Sequence, residues 1–207
     1  RLPQPAQAHP DIGVPTDTQT RPLLVADTTF DAALYAGTPE QVAHWPGVQA
    51  QLLMHEDVVP VCSPRLLESA APRGRGRAHQ PVAAEALAEL PLLQQSTRPY
   101  GWRQWFDAMG VDAPHALDGP RYELFSMLAV AATHGMGVAL MPPLLIEAEL
   151  ASGELVVACN RPLRGERAYY LISPAQAQPP VLTTFAQWLQ TMAQTATSAA
   201  GQAGGAG

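Results

Sequence analysis

The sequence predicts an α/β protein with largely parallel sheets. Short apolar runs, such as Leu92-Leu93 and Val138-Ala139-Leu140-Met141, alternate with segments of helical period. Glycines stand where the helical segments should stop. Across 207 residues, 47% are hydrophobic and 14% charged, so the chain can bury about 70% of its unfolded surface around a core.

Along the chain, Pro10-Asp11-Ile12-Gly13-Val14 reads as a short strand. Leu23-Leu24-Val25-Ala26 suits a short helix capped by Thr18 or Thr20. Phe30 to Tyr35 returns as a strand stopped at Gly37, and His44-Trp45-Pro46-Gly47 is a turn. Leu52 to Val61 is extended, interrupted by the charged pair Glu56-Asp57. Ser63-Pro64 opens a brief helix, with Ser63 as cap and Pro64 at its first position. Ala71 to Pro81 is a loop, Glu85 to Leu90 a short helix, and Pro91 to Gln94 a short buried strand.

Trp102, Trp105, Phe106 and Met109 fall at i, i+3, i+4 and i+7, the apolar face of a helix ended by Gly110. Arg121 to Phe125 is extended, Ser126 to His134 helical with its stop at Gly135, and Gly137 to Met141 a strand. Pro143 to Ala151 is a helix closed by Gly153, and Leu155 to Ala158 and Ala168 to Ile172 are strands. Val181 to about Met192 is a last helix, and the tail 193–207 reads as a disordered linker.

Several function classes are disfavoured. The formal net charge is −6, and all twelve basic residues are arginines, so a broad basic face for nucleic acid is not expected. The one basic cluster, Arg73-Gly74-Arg75-Gly76-Arg77, is a small footprint and reads first as a solvated loop. No apolar run approaches the ~20 residues of a membrane span. Six histidines and two cysteines show no metal-ligand spacing, so no metal site is expected. Gly135-Met136-Gly137 follows a helix and precedes a strand, the reverse of a phosphate-cradling order. Cys62, at a helix start, reads as a reactive thiol or, more simply, as a small buried side chain.

Hydroxyls between strands and helices carry the positive signal. Thr18, Thr20, Ser96, Thr97 and Ser126 all read as helix caps, each stabilising by ~1 kcal/mol. Converging hydroxyls and amides at helix N-termini would also suit a small anion such as a carboxylate.

Certain stretches are recognisable in order: Phe30 to Gly37, Trp45-Pro46-Gly47, Val59 to Leu67, Leu90-Pro91-Leu92-Leu93, Trp102 with Trp105-Phe106, Ala131 to Pro142, Gly153-Glu154-Leu155-Val156, Tyr169-Tyr170-Leu171 and Phe185 with Trp188-Leu189. Together they resemble the effector-binding domain of LysR-type transcriptional regulators, in the glycine-cleavage-activator-like subgroup. The resemblance runs from about Arg1 to Gln190. It implies a type 2 periplasmic-binding-protein-like fold, two α/β lobes joined by two crossover strands. Placing the crossovers near Val58–Ser63 and Tyr169–Ser173 puts lobe one at 1–60 with 174–207, and lobe two at 61–173.

By position, the resemblance makes Thr18, Thr20, Ser96, Thr97, Phe125 and Ser126 effector contacts in the cleft between lobes, with Tyr35 and Tyr169 as looser lining. It implies a small anionic effector, no cofactor, no catalytic residue, a homodimer or homotetramer, and a cytoplasmic protein. DNA would be met only through an N-terminal winged helix-turn-helix that this sequence lacks. The chain reads as cut into at Arg1-Leu2-Pro3, with the family's first strand and most of its first helix absent, so lobe one is expected to be incomplete, rearranged or completed by a neighbouring chain. Leu24 and Asp27 depart from the family's usual acidic and basic residues, and the loop 71–82 looks longer than usual. Two alternatives share the fold. A periplasmic solute receptor of a transporter would carry a cleavable signal upstream. A small-acid dehydratase-like enzyme would need a general acid or base at the site, where hydroxyls and aromatics stand instead.

Overall fold

A strand that is apolar at every position needs cover on both faces of its sheet, and residues 57–164 supply it. The computed structural model describes residues 30–70, 81–175 and 179–203. The chain divides into two units, one of residues up to Glu56 and from Gly165 onward, the other of Asp57–Arg164.

The second unit begins in β2 (Val48–Cys62), continues through α2 (Pro64–Ala70) and α3 (Ala84–Leu87), and reaches β3 (Leu92–Gln95) and α4 (Gly101–Met109). Then come β4 (Arg121–Tyr122), α5 (Phe125–Thr133), β5 (Val138–Met141), a 3-10 turn (Pro143–Ile146), α6 (Glu147–Ser152) and β6 (Val156–Val157). Strand β3 is central, parallel to β4 in the register Gln94↔Arg121 and to β5 in the register Leu92↔Val138. Its four residues are all buried.

The period of two sends neighbours to opposite faces. Leu92, Val138, Leu140 and Cys62 join the cluster holding Trp102, Trp105 and Phe106 of α4. Leu93, Ala139, Met141, Val59 and Val61 join Leu128, Ala131 and Ala132 of α5. The three aromatics of α4 interlock, Trp102 stacked on Phe106 at 5.4 Å and Trp105 edge-on to Phe106 at 5.1 Å. Both indoles are satisfied: Trp102 Nε1 donates to the Leu93 carbonyl and Trp105 Nε1 to the Arg161 carbonyl, each at 3.0 Å. Gly110, Gly135 and Gly153 end their segments at φ 72°, 74° and 76°, as their positions predict.

In the first unit, β1 (Ala33–Gly37) pairs antiparallel with β7 (Leu163–Pro174), from Ala33↔Ile172 to Gly37↔Ala168. Between β1 and β2 lies α1 (Pro39–Ala43), unforeseen in sequence although Thr38-Pro39-Glu40-Gln41 is a capping box. The Thr38 N–H donates to Gln41 Oε1 at 3.0 Å, and the Gln41 N–H to Thr38 Oγ1 at 3.4 Å. Ala168, Tyr170 and Ile172 form the buried centre of this unit, packed by Ala33, Tyr35, Val42, Trp45 and Val48.

Several expectations need correction. The sheets are mixed, not largely parallel. Crossover helices make β3, β4 and β5 parallel, but β2 enters antiparallel to β5 and β6. Glu56-Asp57 does not interrupt β2. Successive side chains alternate faces, so Glu56 is buried at 4% exposure while Asp57 stays outside, paired with Arg164 at 2.8 Å. The second boundary falls at Arg164/Gly165, not 173/174, because residues 168–172 of β7 pair with β1. The last helix, α7 (Pro180–Ala203), continues through most of the expected linker. Ala and Gln favour helix there, and Gly201 alone does not stop it.

The strand at 10–14, the helix at 23–26, the Arg73–Arg77 cluster and the expectation of an incomplete lobe one all fall outside the described residues.

Candidate functional site

Strands β3 and β4 run side by side and end together, at Gln95 and Tyr122. In parallel sheets the C-terminal strand ends are where ligands are met. The Ser96 N–H donates to the Tyr122 carbonyl at 2.8 Å, so the turn after β3 is tied to the end of β4. Glu123 and Leu124 then lead into α5. The turn that carries Ser96 and Thr97 is thereby fastened to the end of β4, three residues before Phe125 and four before Ser126.

Two side chains reinforce this junction. The Arg98 guanidinium lies 4.7 Å from the centroid of the Phe125 ring, a cation–π distance. Its Nη1 donates to Thr97 Oγ1. Beneath, Gln95 is 7% exposed. Its Oε1 accepts from the Thr97 N–H at 3.0 Å, and its Nε2 donates to the Glu123 carbonyl at 3.2 Å.

Ser96, Thr97 and Ser126 are exposed, but they are not the helix caps their positions predict. Pro99 disfavours helical geometry at the residue before it, so residues 96–100 form a turn and α4 starts at Gly101 with Tyr100 as its N-cap. Ser126 lies inside the first turn of α5, whose N-cap is Leu124 with no side-chain cap bond. The hydroxyls are therefore not spent on closing helices. With the positive end of α5 and the Arg98 guanidinium nearby, this surface suits an anionic oxygen group.

Tyr35 and Tyr169 are not brought together. Tyr35 is opposite Tyr170, and Tyr169 opposite Ala36, so the two rings point to opposite faces of the β1–β7 pair. Tyr35 packs on Trp45 at 4.7 Å, with its hydroxyl donating to Gln41 Oε1 at 3.4 Å, and works as core. Thr18 and Thr20 lie outside the described residues.

Sequence reasoning missed Arg98 and Gln95. Arg98 directly follows the Ser96-Thr97 pair and could have been found by adjacency. Gln95 gave no signal, because burial of a glutamine is decided by the sheet. Cys62 and Cys159 are both buried and free. Burial pushes the Cys62 thiol up to about 11 and that of Cys159 upward too, so both are protonated at neutral pH and Cys62 is the small core side chain rather than a nucleophile. Among the described residues no group of three or more His, Cys, Asp or Glu side chains could hold a metal ion, and no helix is long and apolar enough to cross a membrane.

The described residues thus make two α/β units, with β2 and β7 each contributing residues to both. The chain belongs to the LysR substrate binding domain family, whose model matches residues 1–194. It is 30% identical over 183 residues to the glycine cleavage system transcriptional activator of Escherichia coli (strain K12), covering 88% of this chain and 56% of that protein. It is 31% identical over 191 residues to the HTH-type transcriptional regulator TrpI of Pseudomonas aeruginosa, covering 92% of this chain and 61% of that one. The chain thus spans little more than half the length of these relatives, which their names describe as transcriptional regulators. In fold it is similar to the effector domain of the transcriptional regulator AmpR of Pseudomonas aeruginosa, with a TM-score of 0.76 and 22% identity over 94% of this chain and 87% of that one. The two-lobed periplasmic-binding-protein-like expectation agrees with that likeness, and neither the transport receptor nor the dehydratase is favoured.

Proposed function

We propose that this chain is the effector-sensing and oligomerisation half of a bacterial LysR-type transcriptional regulator, with DNA read by a winged helix-turn-helix outside the chain. The effector is a small anionic metabolite. Its anionic end is met by Ser96 and Thr97 on one side and by the start of α5, with Phe125 and Ser126, on the other. The observation that carries this reading is the junction of β3, β4 and α5, where exposed hydroxyls that cap no helix stand beside a held arginine. Thr18, Thr20 and Tyr169 remain contacts on the strength of the resemblance. Tyr35 does not, since it is spent in the core of its own unit.

The mechanism is binding rather than chemistry. An effector that binds one conformation of the domain better than another shifts the population between them, by no more than that difference in affinity. Oligomerisation is supported by Leu124, Met127 and Val130, which recur every third residue at the start of and along α5 and are 41%, 53% and 57% exposed. A bacterial regulator that binds DNA works in the cytoplasm, where the DNA is.

Thr97→Val and Ser126→Ala test the site. Each removes one hydroxyl from an exposed position, so folding stability should change by about 0.5 kcal/mol or less. Each should weaken the first small carboxylate found to bind the wild type by about tenfold, the loss of a hydrogen bond to a charged group. Calorimetry that finds affinity unchanged in both variants would remove these residues from the site.

A further inference from the structure

Two consecutive glutamines at the end of a central, fully buried strand call for a reason. A buried amide is costly unless its donor and acceptor are both satisfied, and an apolar residue would fill the same space without that condition. Gln94 spends its amide donors on the Ala116 and Asp118 carbonyls at 3.1 and 2.6 Å, which anchors the loop before β4. Gln95 does something different. Its two ends reach the two segments that carry the exposed hydroxyls, taking the Thr97 N–H at 3.0 Å and the Glu123 carbonyl at 3.2 Å.

We propose that Gln95 is a positioning residue, whose buried amide fixes the turn at 96–97 against the start of α5 so that Thr97 and Ser126 are preorganised for one ligand. This rests on the effector site proposed above. By drawing the Thr97 N–H inward, Gln95 closes a short turn on its own side chain and leaves the Thr97 hydroxyl outside. By holding the Glu123 carbonyl, one residue before the α5 N-cap, it sets where the helix begins. Ordering these segments before the ligand arrives removes an entropic cost of binding.

The proposal separates from mere space-filling because it depends on an acceptor oxygen. Gln95→Met keeps the shape and removes both bonds. Gln95→Glu keeps an oxygen that can accept from Thr97, in either protonation state, but costs more to bury. Amide hydrogen exchange resolved to single residues, in the full-length regulator, reads the difference. Thr97 should exchange at least tenfold faster than wild type in Gln95→Met and within about threefold of wild type in Gln95→Glu, with Leu93 and Ala139 unchanged in both. Thr97 protection retained in Gln95→Met, or lost more in Gln95→Glu than in Gln95→Met, would overturn the proposal.

A titration with acetate, glycine, succinate and inorganic sulfate forms the second arm. For any of these that binds the wild type, Gln95→Met should weaken binding at least fivefold. Equal affinity despite faster Thr97 exchange would overturn the positioning role. If none of the four binds the wild type, the proposed ligand class is what fails, and the exchange ratio still decides whether Gln95 holds the turn.

Discussion

Trp105→Ala is expected to cost about 3–5 kcal/mol of stability, the loss typical of truncating a fully buried indole. Trp105 has no exposed surface and sits edge-on to both Trp102, at 5.7 Å, and Phe106, at 5.1 Å. It also donates from Nε1 to the carbonyl of Arg161, across 56 positions of sequence. Truncation therefore opens a cavity and leaves that carbonyl without its partner. A typical domain has about 5–15 kcal/mol in hand, so the second unit would approach its unfolding threshold. Trp105→Phe keeps most of the volume and should recover more than half of the loss. Denaturant unfolding followed by circular dichroism measures both. A loss below about 1.5 kcal/mol for the alanine variant would mean that α4 does not anchor this core.

Gly119→Ala is the second large effect, expected at roughly 2–6 kcal/mol from two sources. Gly119 has φ 107°, a region that a side chain makes strained by about 1–3 kcal/mol. A Cβ there would also lie 2.1 Å from the carbonyl oxygen of Leu92, which must move or break the packing, at about 1–3 kcal/mol more. Movement would reach the site, because the next residue, Pro120, accepts the Gln94 N–H at 2.9 Å and fixes β4 beside β3. Gly153→Ala is the control. Gly153 has φ 76° but open space around its Cβ position, so it should show the backbone part alone, about 1–2 kcal/mol. Equal losses in the two variants would show that the Leu92 contact is relieved at no cost.

The elements set by local pattern were legible. The spacing of Trp102, Trp105, Phe106 and Met109 defines α4, and Gly110, Gly135 and Gly153 stop their segments at positive φ. Both are properties of a few neighbouring residues. The features that escaped depend on pairing across the chain. Nothing local places Tyr35 opposite Tyr170 and thus away from Tyr169, since that register joins strands more than 130 residues apart. Nothing local buries Gln95, or Glu56 beside the exposed Asp57. Local rules also misled at Ser96, Thr97 and Ser126. A hydroxyl before a helical run reads as a cap, but Pro99 delays α4, and α5 begins a residue early at Phe125. The α1 capping box stands in the letters, but the helix it opens is only five residues long and carries no periodic apolar face to mark it. The family resemblance supplied the two-unit organisation, which composition and periodicity alone did not contain.

A small anion sensed at the junction of β3, β4 and α5 should stabilise the folded chain. Thermal denaturation of the wild-type chain, of Thr97→Val and of Ser126→Ala, against matched pairs of small carboxylates and their uncharged amides, tests it most directly. A ligand bound at a hundred times its dissociation constant stabilises the folded state by ~2.7 kcal/mol, which moves the midpoint by several degrees. At least one carboxylate should raise the midpoint of the wild type, its amide partner should not, and the rise should be smaller in both variants. A carboxylate and its amide that act equally, or a rise undiminished in both variants, would contradict it.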